Sequence, residues 1–129
     1  DSCVSKDGKV LCAVPRLRIE ILGGEVMKSV TVDEPEIEII SKDLLEKSGL
    51  RGPVTLQFIK DKNNRKAYVM EVNPRFGGGV PLAIAAGADI PKMILKEYLN
   101  IENLPVTEWD KNLLMVRANR EFYKHADNH

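Results

Sequence analysis

The stretch Glu71-Val72-Asn73-Pro74-Arg75-Phe76-Gly77-Gly78-Gly79 sets a carboxylate, an amide and a guanidinium at alternate positions, then runs into three glycines. Residues two apart on an extended chain share a face, so Glu71, Asn73 and, if extension persists through Pro74, Arg75 project to one side. Met70 and Val72 are then expected to pack on the other. A carboxylate and an amide oxygen are hard donors that suit Mg²⁺, a cation that keeps several waters and shares phosphate oxygens. A neighbouring guanidinium can fork onto phosphoryl oxygens. The glycines let an anion approach the backbone closely and can offer it amide donors. The row reads as the metal and phosphate end of a nucleotide site.

Such a row needs a hairpin to hold it. Residues 54–60 and 66–73 flank the polar turn Asp61-Lys62-Asn63-Asn64-Arg65 and are predicted to pair. If Lys60 faces Lys66, Thr55 opposes Glu71 and Gln57 opposes Val69, which makes Gln57 and Glu71 diagonal neighbours, about 7–8 Å apart at the backbone. Two long oxygen-bearing side chains can converge on one ion from there. A one-residue slip would keep Glu71 with Asn73 but move Gln57 to the opposite face.

Upstream, residues 2–5 and 10–21 read as a hairpin around Lys6-Asp7-Gly8-Lys9, Gly23-Gly24 reverses the chain, and residues 25–32 supply a further strand. Arg16 and Arg18 share one strand face and Lys28 lies in the adjacent strand, so all three could reach phosphate oxygens. Asp33, Pro35 and Glu36 look like a helix start with an acidic residue three positions after the cap. Ile37, Ile40, Leu44 and Leu45 recur at helical spacing as a core stripe, and Gly49 sits where a left-handed terminator belongs. Residues 81–86 suit a short helix, and Asp89 caps another whose Ile90, Ile94, Leu95 and Tyr98 line one side. Trp109 is expected to anchor a Pro-containing loop, and Leu113–Phe122 to form a closing strand. The expected class is α+β, a mainly antiparallel sheet with helices packed on one face. The boundaries expected are residues 1–123 for the folded part and 124–129 for a polar tail that frays.

The 129 residues are 43% hydrophobic, enough for one domain with its own core. Nineteen basic residues balance nineteen acidic ones, with no basic and aromatic cluster, which speaks against a nucleic-acid footprint or membrane surface. No apolar run approaches the roughly 20 residues of a membrane helix. Cys3 and Cys12 lack the spacing of a zinc site or a disulfide framework and read as small packing residues, in keeping with a reduced, cytoplasmic setting.

The run Glu-Val-Asn-Pro-Arg-Phe-Gly-Gly-Gly at 71–79 resembles the metal-binding motif of the ATP-grasp superfamily, in the branch of the carbamoyl-phosphate synthase large chain. Gly52-Pro53-Val54-Thr55-Leu56-Gln57-Phe58 before it and Pro81-Leu82-Ala83-Ile84-Ala85-Ala86-Gly87-Ala88 after it strengthen the likeness. The resemblance covers the C-terminal part of such a domain, and with Asp1 in place of an initiating Met it implies a fragment that would be inactive alone. It implies Glu71, Asn73 and Gln57 as Mg²⁺ ligands, with Mn²⁺ as a substitute. It makes Arg75 the catalytic residue beside the transferred phosphoryl group, and Arg16, Arg18, Lys28, Gly77 and Gly78 the residues that hold nucleotide phosphates. The implied reaction is ADP-forming ligation: ATP phosphorylates a carboxylate or bicarbonate, and ammonia or an amine attacks the acyl-phosphate. The partners implied are ATP, these small substrates and the remaining part of the enzyme, with homo-oligomerisation left open. An amino-acid ligase of the same superfamily, or a non-catalytic oligomerisation module, is the rival reading; exposed apolar residues near Val80, Pro81 and Leu82 would favour the module.

Each residue also has an ordinary account. Glu71, Asn73 and Arg75 would suit a surface turn with a local ion pair, and three glycines alone would suit a flexible turn. For Arg16, Arg18 and Lys28 a solvated or ion-paired strand face is the ordinary reading.

Overall fold

Pro15 divides what the sequence pattern presents as one long strand. In the computed structural model, which describes residues 1–118, β1 (Ser2–Val4) pairs antiparallel with β2 (Val10–Ala13), Cys3 opposite Cys12. Proline has no amide hydrogen to give a ladder, so the chain leaves this sheet at Pro15 and β3 (Arg16–Leu22) opens a second one. The segment 10–21 is therefore two strands in two sheets. Gly23 and Gly24 both have positive φ (58° and 83°), the geometry a tight primed turn requires, and return the chain as β4 (Glu25–Thr31). Then come α1 (Pro35–Ser48), β5 (Gly52–Lys60), β6 (Ala67–Asn73), α2 (Val80–Ala85), α3 (Ile90–Tyr98) and β7 (Leu114–Val116).

The class is α+β and the strand pairs are antiparallel, as the sequence pattern implies. One sheet has the order β2-β1-β5-β6 and the other β3-β4-β7. The layering is finer than helices against one face. Val4 joins Leu45 of α1 with Val10, Ala13 and Val54, whereas Cys3 joins Ile90 and Met93 of α3 with Leu11 and Cys12. Successive strand residues point to opposite faces, so the two helices take opposite sides of β1. The strand allows this because every residue of β1 and β2 is buried. Burial pushes the Cys3 thiol up to about 12 and that of Cys12 to about 11, consistent with packing residues.

Two helix ends follow local chemistry closely. Gly49 closes α1 in the left-handed region, and the Asp89 side chain accepts from the Lys92 amide at 3.0 Å. At the start of α1, however, Glu34 is the cap residue, with no side-chain cap bond, and Asp33 pairs instead with Lys111 at 2.9 Å. The stripe of α1 is only half-covered: Ile37, Ile40 and Leu44 are half-buried, while Ser41 and Leu45 are buried. In α3 the inward residues are Ile90 and Met93; Leu95 and Tyr98 are 56% and 82% exposed. The inward stripe instead continues to Glu97, whose carboxylate accepts from the Lys6 amide (2.9 Å) and Asn103 Nδ2 (3.0 Å).

These bonds hold the Glu97 carboxyl below its ordinary range, the Lys6 amide contributing most. A carboxyl with a depressed folded-state pKa stabilises the fold above its unfolded value, about 4.3, and loses that contribution as pH falls through the folded value. Glu97→Gln is accordingly expected to narrow the drop in Tm between pH 7 and pH 3, read by circular dichroism. An equal drop in both proteins would contradict it.

The segment after α3 is tied to the second sheet by Thr31. Its fully buried hydroxyl donates to the Asp110 carbonyl at 2.7 Å and accepts from the Leu113 amide at 2.9 Å. Trp109 and Val106 pack on the core cluster, the anchoring expected of Trp109. The closing strand is short: β7 pairs with β4 over three residues. The last part of the expected strand, from 119, and the tail 124–129 lie outside the described residues. No helix of the described residues is long and apolar enough to cross a membrane.

Candidate functional site

The β5–β6 ladder changes register once, and that change assembles the site. Lys60 faces Ala67, Ile59 faces Tyr68 and Phe58 faces Val69; then the ladder shifts, and Gln57 faces Glu71, Leu56 faces Val72 and Thr55 faces Asn73. The expected pairing of Lys60 with Lys66 is off by one residue, because Lys66 belongs to the turn, where its carbonyl accepts from the Asp61 amide at 3.0 Å. A bulge that leaves Met70 without an opposite residue adds a second shift. Two single-residue shifts return Gln57 to the face of Glu71, directly opposite it and not diagonal, about 4.5–5.5 Å apart at Cβ. Without the bulge Gln57 would oppose Met70, and Glu71 would look away.

The far face of this hairpin is not packed as expected: Met70 is 61% exposed and Val72 40%. β6 is the edge of its sheet, and the helices of this sheet reach β1, β2 and β5.

Between β5 and the β3–β4 hairpin lies a cavity of about 570 Å³. Gln57, Asn73, Arg75, Gly77, Gly78 and Arg18 line it, as does Arg16. Glu71 and Lys28 are outside the lining. Glu71 is exposed on the edge strand opposite Gln57. Lys28 precedes Ser29, the partner of Arg18, and so takes the other face of β4; there it meets Glu20, because a bulge at Ile19 shifts the β3 register. Arg16, Arg18 and Lys28 thus do not form one basic face.

Arg16 is already engaged. Its Nε lies 2.5 Å from Asp1 Oδ2, with the two side chains 10% and 0% exposed, and burial pushes the guanidinium below its ordinary pKa. The ion-paired account fits Arg16; Arg18 is exposed at the cavity wall.

The loop after β6 is folded on itself and on β5. The Arg75 amide donates to the Asn73 carbonyl (2.8 Å), Arg75 Nη1 to the Phe76 carbonyl (3.0 Å) and Nη2 to Asn73 Oδ1 (3.4 Å). Two loop glycines are required by the chain's own side chains. A Cβ on Gly77 would fall 2.5 Å from Thr55 Oγ1, and one on Gly79 would fall 2.1 Å from Arg16 Cζ. Gly78 has open space around it, so close approach by an outside group is available there.

The donor set fits a hard divalent cation. Gln57, Glu71 and Asn73 offer oxygens from two adjacent strands, and the buried Nδ2 end of Asn73 has no hydrogen-bond partner. Turning that amide would bring oxygen to the orphaned position, where a cation could take it, at the cost of the 3.4 Å bond from Arg75 Nη2 to Asn73 Oδ1. A single carboxylate with two amides suits Mg²⁺ or Mn²⁺ with water and phosphate completing the shell. Among the described residues no cluster of three or more His, Cys, Asp or Glu side chains forms a rival metal centre.

Over residues 2–121 the sequence matches the family model described as ATP-grasp in the biosynthetic pathway with Ter operon. The chain belongs to this ATP-grasp family. No curated protein matches the sequence. ATP-grasp domains are in general ATP-dependent ligases that bind ATP with Mg²⁺.

The ATP-grasp chain also carries cavity residues that pattern reading passes over. Arg117, next to β7, donates from Nη2 to the Gly78 carbonyl at 2.7 Å and lies 3.5 Å from Glu25. Thr55 and Asp1 line the cavity as well. Thr55 was within reach of the pattern, two residues from Gln57 on the same strand. Asp1 and Arg117 carry no local signal, because strand pairing alone brings them here.

Proposed function

We propose that this ATP-grasp chain supplies the metal- and phosphate-binding part of an ADP-forming ligase of the carbamoyl-phosphate-synthase-like branch, with residues 1–123 as that part of the domain. Its reaction phosphorylates a carboxylate or bicarbonate to an acyl-phosphate, which ammonia or an amine then attacks. The observation that carries the reading is the β6 bulge: it sets Glu71 opposite Gln57, which with Asn73 and Arg75 lines the cavity, and the Asn73 amide has a partnerless buried end. The Asn-Pro-Arg-Phe-Gly-Gly-Gly wording of residues 73–79 favours the synthase-like branch.

Glu71, Asn73 and Gln57 would hold Mg²⁺, which when bound neutralises phosphate charge and aligns the terminal phosphates. Arg75 supplies the remaining positive charge: its fork can follow the transferred phosphoryl group from ATP to the carboxylate and stabilise the charge on its equatorial oxygens. Gly78 leaves room for an anion against the backbone. Arg18 adds an exposed guanidinium at the cavity wall, while Arg16, balanced by Asp1, supports the loop instead. In this arrangement the protein provides position and charge, and no covalent nucleophile is needed. Of the residues whose exposure would favour the oligomerisation module, Val80 and Leu82 are 5% and 1% exposed, and Pro81 alone faces outward.

Calorimetric titration of the chain with Mg²⁺·ADP tests the reading without the unknown acceptor. Saturable binding is expected, weakened at least about tenfold by Glu71→Gln, the scale on which altered metal shells act. Equal binding by both proteins would remove Glu71 from the site and sink the reading.

A further inference from the structure

Beneath the glycine loop runs a buried chain of polar side chains that joins the Arg16–Asp1 pair to Thr55. Thr55, 6% exposed, faces Asn73 across the ladder. Its hydroxyl donates to Asp1 Oδ1 at 3.0 Å and lies 3.5 Å from the Arg75 carbonyl, and Gly77 packs on it so closely that no Cβ would fit. The other oxygen of Asp1 holds Arg16, and the Arg16 guanidinium in turn lies where a Cβ of Gly79 would fall. Two loop glycines thus rest on two ends of one hydrogen-bonded chain, Thr55–Asp1–Arg16.

We infer that Thr55 is a positioning residue for Asn73 and Arg75: anchored by its bond to the Asp1 carboxylate, it sets the height of the 73–79 loop. The inference rests on the proposed roles of Asn73 and Arg75. Thr55 touches the loop at three places: opposite Asn73, under the carbonyl of Arg75 and against Gly77. Its one proton goes to a carboxylate, and such charge-assisted bonds are short, directional and stronger than neutral ones. The bond therefore fixes the rotamer, placing Oγ1 and Cγ2 against Gly77. A valine in this place would keep the shape and lose the anchor; a serine would keep the anchor and lose the methyl.

The test uses the whole ¹⁵N-labelled chain with Thr55→Val and Thr55→Ser, and reads amide hydrogen exchange without nucleotide at Arg75 and Val80, whose amides donate to the Asn73 and Gly77 carbonyls of the loop. Thr55→Val is expected to speed exchange there about tenfold, the scale of one lost bond to a charged group, while the β5–β6 ladder amides stay protected and Thr55→Ser remains close to wild type. Mg²⁺·ADP affinity is expected to follow the same order, about tenfold weaker for Val and restored by Ser. Unchanged loop exchange in Thr55→Val, or equal effects of Val and Ser, would overturn the inference. A loop that responds in a wild-type background that binds no Mg²⁺·ADP would support the anchoring and count against the nucleotide reading alone. Should Thr55→Val fail to fold, Gly77→Ala probes the contact from the loop side: faster exchange at Arg75 and Val80 is expected, and no change would overturn it.

Discussion

Arg16→Met is expected to lower the free energy of unfolding by about 3–5 kcal/mol, the usual cost of removing one partner of a buried ion pair. The loss is large because Asp1 has nowhere to go: its carboxylate is 0% exposed, and its second oxygen already accepts from Thr55. Leaving that charge uncompensated costs more than the pair contributed, since the desolvation of the carboxylate remains after its counter-charge is gone. Against the 5–15 kcal/mol that holds an average domain together, the variant would stand near the edge of folding at ~37 °C. Urea unfolding followed by circular dichroism reads the change as a shifted midpoint at constant slope. Removing both charges, as in Asp1→Val with Arg16→Met, is expected to cost less than Arg16→Met alone. If the single and double variants unfold at the same urea concentration, the pair is not the determinant it is argued to be.

Leu45→Ala is expected to cost about 2–5 kcal/mol, toward the upper end of that range. Leu45 is 0% exposed and meets Val4, Val10, Ala13 and Val54, residues of three different strands. Ser41 is the other buried residue of α1, and that hydroxyl bonds back to the Ile37 carbonyl of the same helix. Removing three carbons from a site enclosed by a sheet leaves a void that the rigid ladder cannot collapse to fill. Leu44→Ala, one residue away and half-buried, serves as the control and is expected to cost clearly less. Equal losses at the two positions would mean that α1 docks differently.

The parts of the fold that depend on neighbours in sequence were legible. Gly23-Gly24 had to make a tight reversal, Gly49 had to end a helix and Asp89 had to start one, because each acts within a few residues on backbone groups of its own segment. The Glu71–Gly79 run, together with the stretches 52–58 and 81–88 on either side of it, pointed to the ATP-grasp superfamily, to which the family match assigns the chain. Composition settled that the chain could bury a core; alternation could not tell that β1 and β2 would be covered on both sides, because a strand buried on two faces has no alternation to read.

Tertiary structure decided which of those residues meet. The face shared by Gln57 and Glu71 hangs on one bulge at Met70, since side chains alternate and a single extra residue reverses every position beyond it. The same rule separated Lys28 from Arg18 through the bulge at Ile19. The partners of Arg16 and Thr55 lie at Asp1, 15 and 54 residues away, and no local pattern marks a residue for a contact made by pairing β1 with β5. The sequence by itself determined the chemical groups and their local turns; the ladder register, a property of two strands together, determined which face each group presents, and the packing of strands from distant parts of the chain determined which charges are already neutralised.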